Sequence, residues 1–430
     1  MNKNWLAHIR TLILVVLVGL SLLLSYWLWV GDFQNATEVG IGEPLPLAAT
    51  EYPIASQLGR PYRIILSQHS AASLSVALPE THSYNQWLTL LQSVRVTALQ
   101  EIPAFPKRTL DEVEYDFGVP LSAALLQQWV PNIEPTGYVQ YSGLILLYQT
   151  SSNGPVWLGL TSGGVDYEAQ TNLSTVSLYN QITEAVRAQP WSIWTTVQTN
   201  NDLPGSYTQL STSTWTTNAI SLLPVVHSFF VNPLVVTRIQ EDNNTTLWTD
   251  GSRAVQWTKH PDEITYQDPN ASGKRIENLD TLELAARFVR DHGGGPNNLI
   301  ATQVQSNASG ETITLVPYVD GLPILNGSND YQVVIRAGRV VSFSRPLYNL
   351  ASEIDSTRGN ALNGWQLLNV LKTILSVQQI KQIQQIQLGL DEQDEGSIVS
   401  LIPAYFVQLP KGQQLIIDAI DGHVLGGDLP

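Results

Sequence analysis

The chain contains no cysteine, which excludes disulfides, thiolate metal sites and cysteine nucleophiles together. Charge is scarce: 14% of residues carry it, and 22 Lys plus Arg face 37 Asp plus Glu, a formal net charge of -15. An acidic surface repels nucleic acid, anionic headgroups and anionic wall polymers. Catalytic patterns are missing as well. No G-x-S-x-G elbow accompanies His292-Gly293-Gly294-Gly295, so those glycines read as a helix stop. No lysine follows a serine by three residues, and the seven histidines are dispersed without an H-E-x-x-H. Gly273-Lys274 lacks the upstream glycine of a phosphate loop. Asp391 to Gly396 resembles the start of a calcium loop, but Ile402 stands where a bidentate Glu is required, leaving a solvated hairpin connection. Asp111, Glu112, Glu114 and Asp116 likewise read as a charged, solvated segment rather than a carboxylate pair for glycoside cleavage. No enzyme reading survives, and no cofactor or metal ligand set is implied.

What is present begins with one long apolar run. Thr11 to Val30 is 20 residues without a charge, about 30 Å as a helix and enough to cross a bilayer core. A secretory signal would have a shorter apolar region and a small-residue cleavage site; here the run closes on Tyr26, Trp27 and Trp29, which suit the headgroup interface. Lys3 and Arg10 precede it and Asp32, Glu38 and Glu43 follow it. The expectation is a single-pass membrane protein with residues 1–10 in the cytoplasm, 11–30 in the bilayer and all the rest extracellular. Ser21 and Ser25 share a helix face, a spacing that lets two membrane helices approach; serine is also common in such helices without pairing.

The exterior, with ample apolar residues for packed cores, divides by pattern into residues 31–205, 206–350 and 351–430. The first unit mixes helix patterns (Asn85 to Val94, Leu121 to Val130, Leu173 to Ala188) with strand patterns such as Tyr62 to Ser67 and Leu144 to Tyr148. The later two appear as copies: an amphipathic helix (Leu279 to His292; Leu362 to Val377), then four strand patterns. Leu282 and Leu368 stand 86 apart, as do Pro317 and Pro403. The expected fold class is α+β: a transmembrane helix, a mixed α/β unit, and two related modules of one helix on an antiparallel sheet.

Phe229 to Pro233 (FFVNP), Val235 to Arg238 (VVTR) and Leu247 to Arg253 (LWTDGSR) resemble the signature of the YycH family. Tyr318 to Ile324 (YVDGLPI), Phe343 to Leu347 (FSRPL) and the span with its closing Ser25 to Trp29 are similar to family features too. The family often has Tyr where Trp248 stands, and the N-terminal unit beyond the span matches no motif residue by residue. The resemblance makes Asn232, Pro233, Thr249, Asp250, Gly251 and Arg253 the family motif. It implies a regulator in the membrane of a Gram-positive bacterium, acting beside a YycI-like sister protein. Its partner would be the sensor histidine kinase WalK (YycG) of an essential two-component system for cell-wall homeostasis, with contact among membrane helices carrying the signal. Ser21, Ser25, Tyr26, Trp27 and Trp29 are then the expected helix contacts. Locally, Asp250-Gly251 is a hairpin turn, with Arg253 pairing to an acid nearby. The second reading is an extracytoplasmic sensor whose cleft between modules takes a wall fragment or peptide on Trp191, Trp194 or Trp215.

Overall fold

The computed structural model describes Leu17, Val18, Ser21 and residues 53–427, apart from 69–72, 107–109, 136–139, 189–190, 196–199, 205–207, 271–279, 308–309, 327–329 and 395. The fold is α+β, built on three antiparallel sheets.

The first sheet has nine strands between 63 and 204. Its middle is Tyr141–Gln149, Asp111–Asp116, Arg63–Gln68 and Ser73–Ala77, paired in that spatial order. The acidic segment expected to be solvated is therefore a central strand. Asp111, Val113 and Tyr115 point to the buried face while Glu112, Glu114 and Asp116 alternate away, because strand side chains have a period of two. Asp116 takes Arg63 as its ion-pair partner at 2.8 Å. The helices His82–Ser93 and Thr175–Ala188 pack on the buried face through Trp87, Leu91, Leu178 and Ile182.

The central sheet runs from the edge strand Thr237–Gln240 through Thr245–Thr249, Ala254–Thr258, Glu263–Gln267, Arg339–Pro346, Tyr331–Arg336 and Gly310–Val319 to Leu299–Asn307. Its helix, Thr281–Asp291, is capped by Asp280, whose Oδ1 accepts from the Glu283 N–H at 3.0 Å. In the third sheet the helix Gly364–Ile374 precedes Gln385–Asp394, Ile398–Gln408, Gln414–Asp418 and Val424–Gly427. In each module a helix is followed by four strands paired in chain order, as the repeat predicts; the first copy adds the two-residue strand Leu322–Pro323 beside Gly310–Val319, and the second adds a further short helix. In the second copy the buried helix residues are Leu367 and Leu371; Leu368 is half-buried. The helix expected to run to Val377 stops at Ile374. Leu375 turns extended and Ser376, in a capping box with Gln379, starts a new helix, Val377–Lys381.

Two features depart from a chain of separate units. Gln209–Ala219, placed by sequence at the head of the central unit, lies in the third sheet, between Tyr348–Asn360 and Ile398–Gln408. The central sheet is thereby inserted between two paired strands of the third. Asp391 and Glu392, read as a solvated connection, are each 7% exposed within Gln385–Asp394. The hairpin carrying Ile324 and Leu325 covers them, joined by the Leu325 N–H to the Leu390 carbonyl.

The first and central sheets share one continuous apolar core. The short helix Ala55–Leu58 packs on Thr281–Asp291 at this junction. Arg290 Nη1 donates to the Pro53 carbonyl at 3.0 Å. Two helix caps meet here: Ser122 Oγ donates to Asp280 Oδ2 at 2.8 Å. Gly118 lies so close to the strand Leu299–Asn307 that a Cβ would come 2.3 Å from the Thr302 carbonyl carbon.

Candidate functional site

Of the five residues expected to contact membrane helices, Ser21 is described: it is helical and exposed, as are Leu17 and Val18 one turn before it. Ser25, Tyr26, Trp27 and Trp29 lie outside the described residues. Among the described residues no helix is long and apolar enough to cross a membrane.

The motif residues build two adjoining turns. Asn232 Oδ1 accepts from the Leu234 N–H at 3.1 Å, capping the 3-10 turn Pro233–Val235, where proline fits because its missing N–H would lack a helical partner. The next strand, Thr237–Gln240, pairs on one side only among the described residues; Ile239 is exposed on it, and Leu234 and Val235 are exposed in the turn before it. Asp250 Oδ1 accepts from the N–H groups of Ser252 and Arg253 and from Ser252 Oγ, all within 2.9 Å. Thr249 Oγ1 donates to the Arg253 carbonyl at 2.7 Å, and Gly251 takes φ +86. Arg253 pairs with Asp268 at 3.5 Å. This is a reinforced hairpin, and its chemistry is structural.

Behind it lies an aromatic cluster that sequence reasoning did not assemble. Phe229 stacks on Tyr266 and His292 at 4.8 and 4.2 Å between ring centres, and Phe288 adjoins His292 and Phe343. Burial pushes the His292 imidazole down to about 3, with Arg253 adding to the effect. Its Nδ1 shares a hydrogen bond with Ser228 Oγ at 2.9 Å. Arg345, fully buried, donates to the carbonyls of His292, Gly294 and Pro346 and to the Tyr331 hydroxyl, and lies over the Tyr331 ring. A cation suits this place because the helix Thr281–Asp291 presents its negative end here. Gly293 and Gly294, at φ +100 and +68, end that helix as expected. FFVNP, the glycine stop and FSRPL thus meet in one core; the signal was two motifs that both open on phenylalanine.

The chain matches the family described as the YycH protein, C-terminal domain, over residues 198–417. It belongs to the YycH family. Membership supports a regulatory role in the YycG/WalK two-component system in general. The fold is similar to that of YycH from Bacillus subtilis, with a TM-score of 0.64, 13% identity, and 87% of this chain covering 98% of that one. The C-terminal domain of YpeB from Bacillus megaterium gives a TM-score of 0.26 at 14% identity over 45% of this chain and 87% of its own, too low to imply a shared architecture. No curated protein matches the chain.

In this YycH-family chain the central and third sheets, with Glu80 from the turn after Ser73–Ala77, enclose a cavity of about 220 Å³ lined by Trp215, Asn298, Tyr318, Tyr348 and Asn349, among others. Trp215, one of three tryptophans proposed to stack on sugars, is half-buried, and its indole N–H donates to Ser213 Oγ at 2.9 Å. The side chains of Trp191 and Trp194 lie outside the described residues. Beside the cavity, Tyr348 donates to Glu392, whose carboxyl is pushed up to about 7, chiefly by burial and further by Asp394 and Asp391.

Proposed function

We propose that this chain is a single-pass membrane regulator that modulates a WalK-like sensor histidine kinase together with a YycI-like partner. Residues 1–10 lie in the cytoplasm, 11–30 cross the membrane, and the three sheets stand outside. The observation that carries the reading is the family match over residues 198–417. The uncharged run from Thr11 to Val30, closed by Tyr26, Trp27 and Trp29, supports the anchor. Its helix face, with Ser21 and Ser25, contacts the kinase's membrane helices. The exposed Ile239 on the edge strand Thr237–Gln240, with Leu234 and Val235 in the turn before it, supports a further contact with a partner's external domain.

The mechanism is a population shift. The regulator binds one signalling state of the kinase better than the other, by about 1–3 kcal/mol. The packing of Ala55–Leu58 at the junction of the first two sheets supports coupling, since any shift between those sheets displaces the segment leading to the span. The test is the double variant Ser21→Leu, Ser25→Leu in the full chain. It should reduce co-purification of the kinase and alter expression of its target genes; unchanged values of both would remove the serine face from the reading.

A further inference from the structure

Three neighbouring strands of the first sheet align their inward side chains in rows. Ile64, Tyr115 and Ile145 form one row and Leu66, Val113 and Leu147 the next, all at most 1% exposed. The third row on that face is Gln68, Asp111 and Gln149. A carboxylate between two amides is not what burial against helices selects, because each polar group forfeits its hydration. Asp111 and Gln149 are nonetheless 2% exposed each. Asp111 accepts from the side-chain amides of both neighbours, and Gln68 also donates to Thr183 Oγ1 at 2.6 Å. Among the described residues no cation pairs with Asp111. Gln149 is oriented by its donation to Asp111, which leaves its Oε1 buried without a partner.

Asp111 and Gln149 of this row line a pocket of about 320 Å³, within the size range of small-molecule sites. Its rim is Leu110, Val176 and Tyr179, which are 40%, 66% and 49% exposed. Val176 and Tyr179 stand one turn apart at the start of Thr175–Ala188. The three requirements on a guest are separate. The rim calls for an apolar body, the Gln149 oxygen for a hydrogen-bond donor, and the Asp111 carboxylate, which no cation among the described residues neutralises, for a positive charge.

We propose that this pocket binds an apolar primary ammonium, its head between Asp111 and Gln149 Oε1 and its body against Leu110, Val176 and Tyr179. A free alkylamine or arylalkylamine and the N-terminus of an apolar peptide share that chemistry. The test is calorimetry on the full chain in lipid nanodiscs with phenethylamine, 2-phenylethanol and hydrocinnamate, which present a cation, a neutral donor and an anion on one body. Phenethylamine should bind saturably, the alcohol about tenfold more weakly, and the acid not at all. Asp111→Asn should weaken phenethylamine about tenfold and leave the alcohol unchanged. Val176→Trp, at an exposed rim position where the fold is not at stake, should abolish both. Stronger binding of phenylalaninamide than of phenethylamine would assign the peptide source, and the reverse order the free amine. No saturable binding, equal binding of the acid and the amine, or unchanged binding in Val176→Trp would overturn the site.

Discussion

At the residue scale, two buried titratable groups pull stability in opposite directions as pH changes. His292 has its folded value depressed to about 3, so in acid the unfolded chain takes up the proton first. Its contribution is complete above the ordinary histidine value and is lost as pH falls toward 3. Glu392 has its folded value raised to about 7, so its contribution is complete in acid, below the ordinary carboxylate value, and is lost as pH rises through 7. Between these limits each acts with a slope of up to about 1.4 kcal/mol per pH unit, and in the wild type they partly cancel. Urea unfolding at pH 4.5 and 6.5 should separate them. Glu392→Gln should steepen the gain in stability on raising pH, whereas His292→Phe should reverse its sign. Parallel curves for wild type and both variants would show that neither group titrates as described.

At the element scale, the hairpin Leu247 to Trp257 rests on one backbone position and one side chain. A Cβ on Gly251 would meet no atom within 4 Å, so replacing it costs only its φ of +86. Gly251→Val should lose about 1–2 kcal/mol and Gly251→Asn less than half of that, since asparagine tolerates the left-handed region. Asp250→Ala, which removes the acceptor of three bonds, should cost at least as much as Gly251→Val; thermal melting of the three variants gives the order. This turn was legible in sequence because Asp-Gly between apolar segments has one local meaning. The helices on 82–93, 123–129 and 281–291 were legible through their apolar periodicity, although the first begins three residues before the expected Asn85, at the cap Thr81. The strand Asp111–Asp116 was hidden because its acids dominate the composition, although Val113, Tyr115 and Phe117 alternate with them throughout. The paired strands Gln209–Ala219 and Tyr348–Asn360 were hidden for another reason. Much of that ribbon is exposed, so no apolar alternation marks it. Nothing local could place it in the third sheet, because Ser213 finds Leu401 by long-range pairing alone.

At the scale of the whole molecule, the first and central sheets behave as one body because their core is continuous. Gly118 is a point of close approach between them, with Thr302 backbone where a side chain would stand. Gly118→Val should therefore wedge the two sheets apart, at a cost of about 1–3 kcal/mol. Limited proteolysis should then cut between residues 53 and 63, where the short helix loses its seat, while the third sheet stays protected. Equal cleavage patterns for variant and wild type would show that the contact is not needed. The same continuity explains why the sequence suggested three beads: local pattern reports faces that are buried, not what they are buried against. The polar row at the pocket escaped notice for that reason too. Gln68, Asp111 and Gln149 are 38 or more positions apart and meet only through strand register.

The inserted arrangement of the third sheet also dictates an order of events at birth. Gln209–Ala219 leaves the ribosome early, but Leu401, the neighbour of Ser213, follows 188 positions later. The newborn polypeptide must carry this serine- and threonine-rich ribbon half-made while the whole central sheet folds within it. Its polar composition keeps the waiting strand from sticking to others of its kind. Truncation anywhere before the last hairpins would strand it without a home, so the tail end acts as a seal of completeness on everything made before.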